Sequence, residues 1–290
     1  LMLREDGFVM DDGTTARLGE NHYLMTTTTA AAGQVLSHLE FLQQALLPGA
    51  DVVLQSVTDQ WAQIAIAGPK ARVLLAGLTD TDLSDAALPF MACKTLTIDG
   101  VGARLFRISF SGELGYELAV PARFGASLFE ALLRLAAPFG GGPYGLEALN
   151  VLRLEKGFLS HAEIDGRLTA ADLGYGRMIA RGKTPIGKPM AGRKHLISDD
   201  RPNLVGLKPS GAVKKLLGGA HLFGVNAQTV PENDEGYVSS VCYSPFLGHM
   251  IGLALLKNGR ARIGERIRAV DLLRGFDTEC EIVCLPFLSE

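Results

Sequence analysis

No uninterrupted apolar stretch in the 290 residues approaches the roughly 20 needed to span a bilayer. The opening Leu1-Met2-Leu3-Arg4-Glu5-Asp6 also lacks the basic-then-apolar build of a signal peptide. A soluble, cytoplasmic protein is expected. A surplus of one charge is equally absent: 28 basic against 31 acidic side chains leave a formal net charge of −3. No overall field favours nucleic acid or an anionic membrane, so small molecules or other proteins are the expected partners. The four cysteines, Cys93, Cys242, Cys280 and Cys284, contain no C-x-x-C pair and indicate neither a disulfide framework nor a zinc site. Cys280 and Cys284 are expected on one face of a late strand. The six histidines include no i, i+4 pair, which leaves no metal-binding spacing.

Several nucleotide and hydrolase signatures are also missing. Gly100-Val101-Gly102 begins like a dinucleotide fingerprint but lacks the third glycine and a following helix. Gly182-Lys183-Thr184 resembles the end of a phosphate-binding loop, yet Gly176 lies one residue too far upstream and Pro185 follows. No serine stands in a Gly-x-Ser-x-Gly elbow. What is present is 47% hydrophobic residues, enough to core one large domain or two ordinary ones. The first residue is not methionine and the chain opens in mid-pattern, so a piece of something longer is expected.

Residues 7–10 lead into Asp11-Asp12-Gly13, a turn signal, and residues 14–18 read as the return strand of a hairpin, which puts both acids at a solvated tip. Residues 23–25 are strand-like, and the last of the threonines at 26–29 can cap the next helix. There Val35, Leu39, Leu42 and Leu46 recur at helical spacing until Pro48-Gly49. Residues 51–57 and 61–67 read as strands, followed by a short helix after Gly68-Pro69. A second hairpin covers 94–98 and 101–110 around Asp99-Gly100. Residues 124–137 form an amphipathic helix with Leu128, Leu132 and Leu135 on one stripe. Residues 146–156 form another, with Leu149, Val151 and Leu152 inward and Gly157 as its cap. The glycine-punctuated run 158–192 suits a segment that wraps a site or joins domains. Beyond Arg201-Pro202 no helical period survives, and 204–207, 220–225, 237–241, 250–256, 262–269 and 279–285 read as six short strands. They indicate a small barrel or sandwich and a boundary near residue 200.

The organising stretch is Ser109-Phe110-Ser111-Gly112-Glu113-Leu114-Gly115-Tyr116-Glu117-Leu118. Two glycines three apart inside an apolar run suggest a turn or bulge bringing backbone close to something. Glu117, between Tyr116 and Leu118, is a half-buried carboxylate that needs hydrogen-bond donors. A ligand with two adjacent N–H groups, a backbone pair, or Arg107 would each serve.

Three segments then resemble a known family: the run from Ser111 to Glu117, the helix Gly145-Leu146-Glu147-Ala148-Leu149-Asn150-Val151-Leu152-Arg153-Leu154-Glu155-Lys156-Gly157, and Gly7-Phe8-Val9-Met10-Asp11-Asp12. Together they resemble the aminomethyltransferases, the folate-binding T-protein of the glycine cleavage system and its relatives. Ser56-Val57-Thr58-Asp59-Gln60-Trp61-Ala62 and Gly259-Arg260-Ala261-Arg262 are similar, within that family, to the C-terminal part of heterotetrameric sarcosine oxidase α subunits. The resemblance implies an α+β fold: an N-terminally truncated folate-binding domain over 1–199 and a small C-terminal β-barrel over 200–290. It implies tetrahydrofolate as cofactor and other sarcosine oxidase subunits carrying flavin as partners.

Residue by residue, Glu117 matches the glutamate that hydrogen-bonds the pterin. Asp12, or its neighbour Asp11, matches the catalytic acid near the reacting folate nitrogen. Arg153 matches an arginine near the folate, an internal ion pair being the alternative. Phe110 stands where the transferases have tyrosine, keeping a stacking surface without the hydroxyl, and Tyr116 is a further contact. The threonines at 26–29 replace an asparagine. The implied chemistry is capture on tetrahydrofolate of the imine or formaldehyde equivalent from oxidised sarcosine, giving 5,10-methylenetetrahydrofolate, with the carboxylate of Asp12 orienting or deprotonating the nucleophile. A non-catalytic folate-binding or assembly module, and a plain structural domain docking a flavoprotein subunit, are the competing readings.

Overall fold

The computed structural model describes residues 1–179, 182–211 and 215–288. The chain divides into two compact units, Leu1–Asp12 with Asn150–Glu290, and Gly13–Leu149. In the first, strands β1 (Met2–Leu3) and β2 (Val9–Asp11) pair antiparallel. Gly7 between them has φ +91°, and a Cβ there would lie 2.5 Å from the backbone nitrogen of Ala191, so the turn demands glycine. This pairing corrects the expected hairpin. β2 turns back on the residues before it, and Asp11, far from a solvated tip, is fully buried.

In the second unit the residues after Gly13 form their own hairpin, β3 (Thr15–Gly19) with β4 (His22–Met25). The helix α1 (Ala32–Ala45) buries Val35 and Leu42. No threonine side chain caps it; the chain enters through a 3-10 turn at Thr29–Ala31 instead. Residues 51–57 are not a strand, their apolar side chains Val52 and Val53 facing outward. Then come β5 (Trp61–Ala67), α2 (Ala71–Ala76), β6 (Cys93–Ile98), β7 (Val101–Phe106), β8 (Gly115–Pro121) and α3 (Gly125–Ala136). The four strands form one antiparallel sheet in the order β5-β8-β7-β6. Asp99 and Gly100, at φ +46° and +80°, make the two-residue turn between β6 and β7, where right-handed strand twist favours two left-handed residues. One face of the sheet carries Ile66, Leu105, Tyr116 and Leu118 into a core with Leu75 of α2 and Leu128 and Leu132 of α3.

The helix α4 (Leu146–Glu155) ends where the sequence places its stop. Gly157 has φ +68°; its N–H donates to the Leu154 carbonyl at 2.9 Å, and that of Phe158 to Arg153 at 2.9 Å. Among its described residues, the glycine-rich run that follows contains a 3-10 turn at Gly176–Met178 and one short α-helix, α5 (Lys188–Ala191). All six late strands then appear: β9 (Pro202–Pro209), β10 (His221–Gly224), β11 (Gly236–Ser244), β12 (His249–Lys257), β13 (Arg266–Asp271) and β14 (Phe276–Val283). They close into a barrel in the order β10-β11-β12-β9-β14-β13, filled by Leu207, Leu222, Val238, Ile267 and Ile282 among others. Closure removes the exposed edges that a sandwich would leave. Cys280 points into this interior, whereas Cys284 lies beyond the end of β14 and is exposed, so the two do not share a strand face. No helix among the described residues is long and apolar enough to cross a membrane.

The first unit is tied together by a buried ion pair. Arg153 on α4 donates to Glu163 at 3.1 Å, and both side chains are almost wholly removed from solvent. All five guanidinium hydrogens are taken: Nε and Nη2 reach Asn150 Oδ1, Nη1 reaches the Phe158 carbonyl and Glu163, and Nη2 reaches Ser240 Oγ. Glu163 further accepts from the backbone N–H of Ser160 at 2.8 Å and from the hydroxyls of Ser239 and Ser240, each at 2.6 Å. Such saturation is what makes a desolvated charge tolerable. Arg153→Ala leaves Glu163 buried and unpaired, and a loss of about 3–5 kcal/mol in unfolding free energy is expected from urea denaturation. Adding Glu163→Gln to that variant should recover part of the loss.

Candidate functional site

Successive strand residues face opposite ways, and on β8 that rule separates two residues the sequence reading held together. Tyr116 enters the core, 1% exposed. Its hydroxyl accepts from Arg72 Nε at 3.0 Å, and the Arg107 guanidinium lies 5.3 Å from its ring centre. Tyr116 therefore serves the core face. Glu117 occupies the opposite face, half-buried, in register with Ala65 on β5 and Phe106 on β7.

Arg107 is not the partner of Glu117: it pairs with Asp85 at 2.7 Å and the Leu88 carbonyl at 3.3 Å. The Glu117 carboxylate instead accepts from the amide of Gln63, its diagonal neighbour on β5. Burial raises the Glu117 carboxyl above its ordinary value of 4.5, and the Gln63 bond only partly offsets that. The Tyr144 phenol, at the end of the glycine-rich loop before α4, is raised by burial and by the Glu117 charge. On the same sheet face Arg104 stacks over Trp61, 3.8 Å from its ring centre.

The glycines of the central motif act as its spacing suggests. Gly112 has φ +78°, and a Cβ on Gly115 would lie 2.7 Å from Ser109 Cβ and 2.8 Å from the Ile108 carbonyl. The 107–114 loop thus folds back onto the start of β8. Phe110 sits on this loop, exposed.

In the other unit, Asp12 follows β2. Its carboxyl is raised first by burial and then by the adjacent Asp11, with His161 acting against them. Tyr175, half-buried, has its phenol pushed up to about 12 by burial, then Asp12 and Glu163. Arg153 has no donor left for a ligand and belongs to an internal ion pair, with Glu163 as the acid. Nothing in the sequence spacing singles out Gln63, Tyr144, His161 or Tyr175. A polar side chain two residues from the one opposite Glu117 becomes visible only once the β5–β8 register is known. The threonine run also acquires a use: Thr26 Oγ1 accepts from the Thr14 backbone N–H at 3.0 Å and lies 2.9 Å from Thr14 Oγ1, pinning the chain just after Gly13.

The GCVT N-terminal domain family matches residues 1–183, and the glycine cleavage T-protein C-terminal barrel domain matches residues 203–288. The chain belongs to the glycine cleavage T-protein family. It is 52% identical over 289 residues to the sarcosine oxidase subunit alpha of Rhizobium meliloti, covering 99% of this chain but 29% of that protein. It is 32% identical over 292 residues to the aminomethyltransferase of Streptomyces avermitilis, covering 99% of this chain and 75% of that one. The crystal structure of the glycine cleavage system aminomethyltransferase T from Bartonella henselae has the same fold, with a TM-score of 0.78 at 22% identity over 99% of this chain and 74% of that one. The chain thus spans less than a third of the length of the sarcosine oxidase subunit.

The raised carboxyl of Glu117 gives a signed test. The folded state holds a proton more tightly than the unfolded chain, so this group lowers stability as pH rises through the window above 4.5. Glu117→Gln removes that dependence. The difference in urea unfolding free energy between variant and wild type should grow in the variant's favour from pH 4.5 to pH 7.5.

Proposed function

We propose that this chain is the folate-binding, one-carbon-transfer part of a sarcosine oxidase α subunit, working in the cytoplasm beside subunits that carry the flavin. Tetrahydrofolate, when bound, supplies the nucleophilic nitrogen that captures the one-carbon unit from oxidised sarcosine as 5,10-methylenetetrahydrofolate. The observation that carries the reading is the Glu117 carboxylate: half-buried, met by one amide donor, and not paired with Arg107, whose guanidinium is bound to Asp85. A carboxylate with two oxygens and one protein donor has acceptor capacity to spare. Paired N–H groups on an amino-pyrimidinone edge match that capacity, and Glu117 anchors the ring without reacting.

Asp12 takes the proton-handling role. Burial and the neighbouring Asp11 keep its carboxyl more basic than usual, which suits a group that must accept a proton from an amine nitrogen. Asp11 is the buried residue that helps set this value. Phe110 offers an exposed ring for stacking. The division of the chain at residue 200 into a folate domain and a barrel domain is part of the same reading; it is supported by the barrel's first strand beginning at Pro202.

Charge-assisted hydrogen bonds of this kind are worth about 1.5–3 kcal/mol. Glu117→Ala should weaken tetrahydrofolate binding roughly 10- to 150-fold in titration calorimetry, and unchanged affinity would overturn the anchor. Asp12→Ala should leave that affinity within a few-fold of wild type while abolishing methylenetetrahydrofolate formation in the assembled complex. Retained product formation would instead favour a chain that only binds folate.

A further inference from the structure

The first unit contains a cleft of about 590 Å³ that no step of the proposed reaction uses. It opens beside the end of α4 and β14, and its walls are chiefly apolar, among them Leu173, Leu204, Ile263 and Leu285. Its volume falls within the range of about 300–1,000 Å³ typical of small-molecule sites. Two cations interrupt the apolar lining, Lys156 and Arg260.

Neither cation has a carboxylate of its own among the described residues. Lys156 forms no ion pair among the described residues. Arg260 uses Nη2 alone, donating to the backbone carbonyls of Ala171 and Asp172, which leaves Nε and Nη1 with hydrogens to give. Asp172, the acid whose charge acts on Arg260, is committed elsewhere: its carboxylate pairs with Arg201 and accepts from the Thr169 N–H at 2.8 Å. Burial pulls the Arg260 guanidinium below its ordinary value, and the charge of Asp172 offsets only part of that. Two cations with no ion-pair partner among the described residues, on the wall of an apolar cleft, make a field that an anion with an apolar body would relieve.

We propose that this cleft is a second ligand site, for an amphipathic carboxylate whose head is held by Lys156 and Arg260 and whose apolar body lies against Leu173 and Leu285. The exposed thiol of Cys284 lies in its lining and reports on occupancy.

The test uses the full chain with decanoate below its micelle concentration, and decanol and decylamine as neutral and cationic ligands of equal chain length. Calorimetry should show decanoate binding at least tenfold tighter than decanol, and decylamine not at all. Lys156→Gln should weaken decanoate about tenfold. Saturating decanoate should slow alkylation of Cys284 by iodoacetamide several-fold, without slowing that of Cys93. Equal affinity for decylamine, no effect of Lys156→Gln, or unprotected Cys284 would overturn the assignment. Displacement of decanoate by tetrahydrofolate would also do so, because the cleft would then belong to the folate site. Arg260→Gln is the companion variant; if loss of its carbonyl bonds unfolds the chain, the lysine variant and the thiol readout decide alone.

Discussion

Strand parity on β8 is the constraint from which the site follows. With Tyr116 and Leu118 committed to the core against α2 and α3, Glu117 must face the other way, and it cannot change faces without a register slip that would expose two large side chains. The carboxylate is therefore held by the hydrophobic effect acting on its neighbours. What is local to it is modest, one amide bond from Gln63. That economy leaves acceptor capacity to spare on a half-buried carboxylate, whereas a paired guanidinium would have used it.

The first unit solves a related problem in the opposite way. Glu163 is as buried as any side chain in the protein, and every polar atom around it is matched, by Arg153, by two serines of β11 and by the loop at Ser160. Saturation there joins α4, the following loop and the barrel wall with fixed geometry. The contrast between Arg153, whose hydrogens are all taken, and Arg260, whose Nη2 alone is engaged, separates a cation that holds the fold from one left able to hold something else.

Much of this was legible in the chain. The six barrel strands, the Asp99-Gly100 turn, the Gly157 helix stop and the tight loop before β8 are each written in local spacing and glycine placement, which act within a few residues. Which of its two neighbours a strand pairs with was not. Asp11-Asp12-Gly13 carries a turn signal, yet β2 pairs backwards with β1 while β3 pairs forwards with β4, because Gly7 and Thr26 fix those alternatives through contacts distant in sequence. Resemblance alone leaves Arg153 between a ligand contact and an internal ion pair and places Tyr116 beside a ligand. Partners from residues 163 and 240 for one, and from residue 72 for the other, take those side chains into the interior.

Two carboxyls raised by the same cause are suited to different work. A base gains from a raised value, since its conjugate acid forms more readily as the proton is transferred. An anchor loses by it, because only the ionised form accepts two N–H bonds. At Asp12 burial is reinforced by the adjacent Asp11, a like charge that pushes further in the direction a base requires. At Glu117 burial is opposed by Gln63, a donor that favours the ionised form. The second influence on each carboxyl thus points the way its proposed role demands, and donors from a bound ring would add to the effect of Gln63, drawing Glu117 back toward the ionised state that holds them.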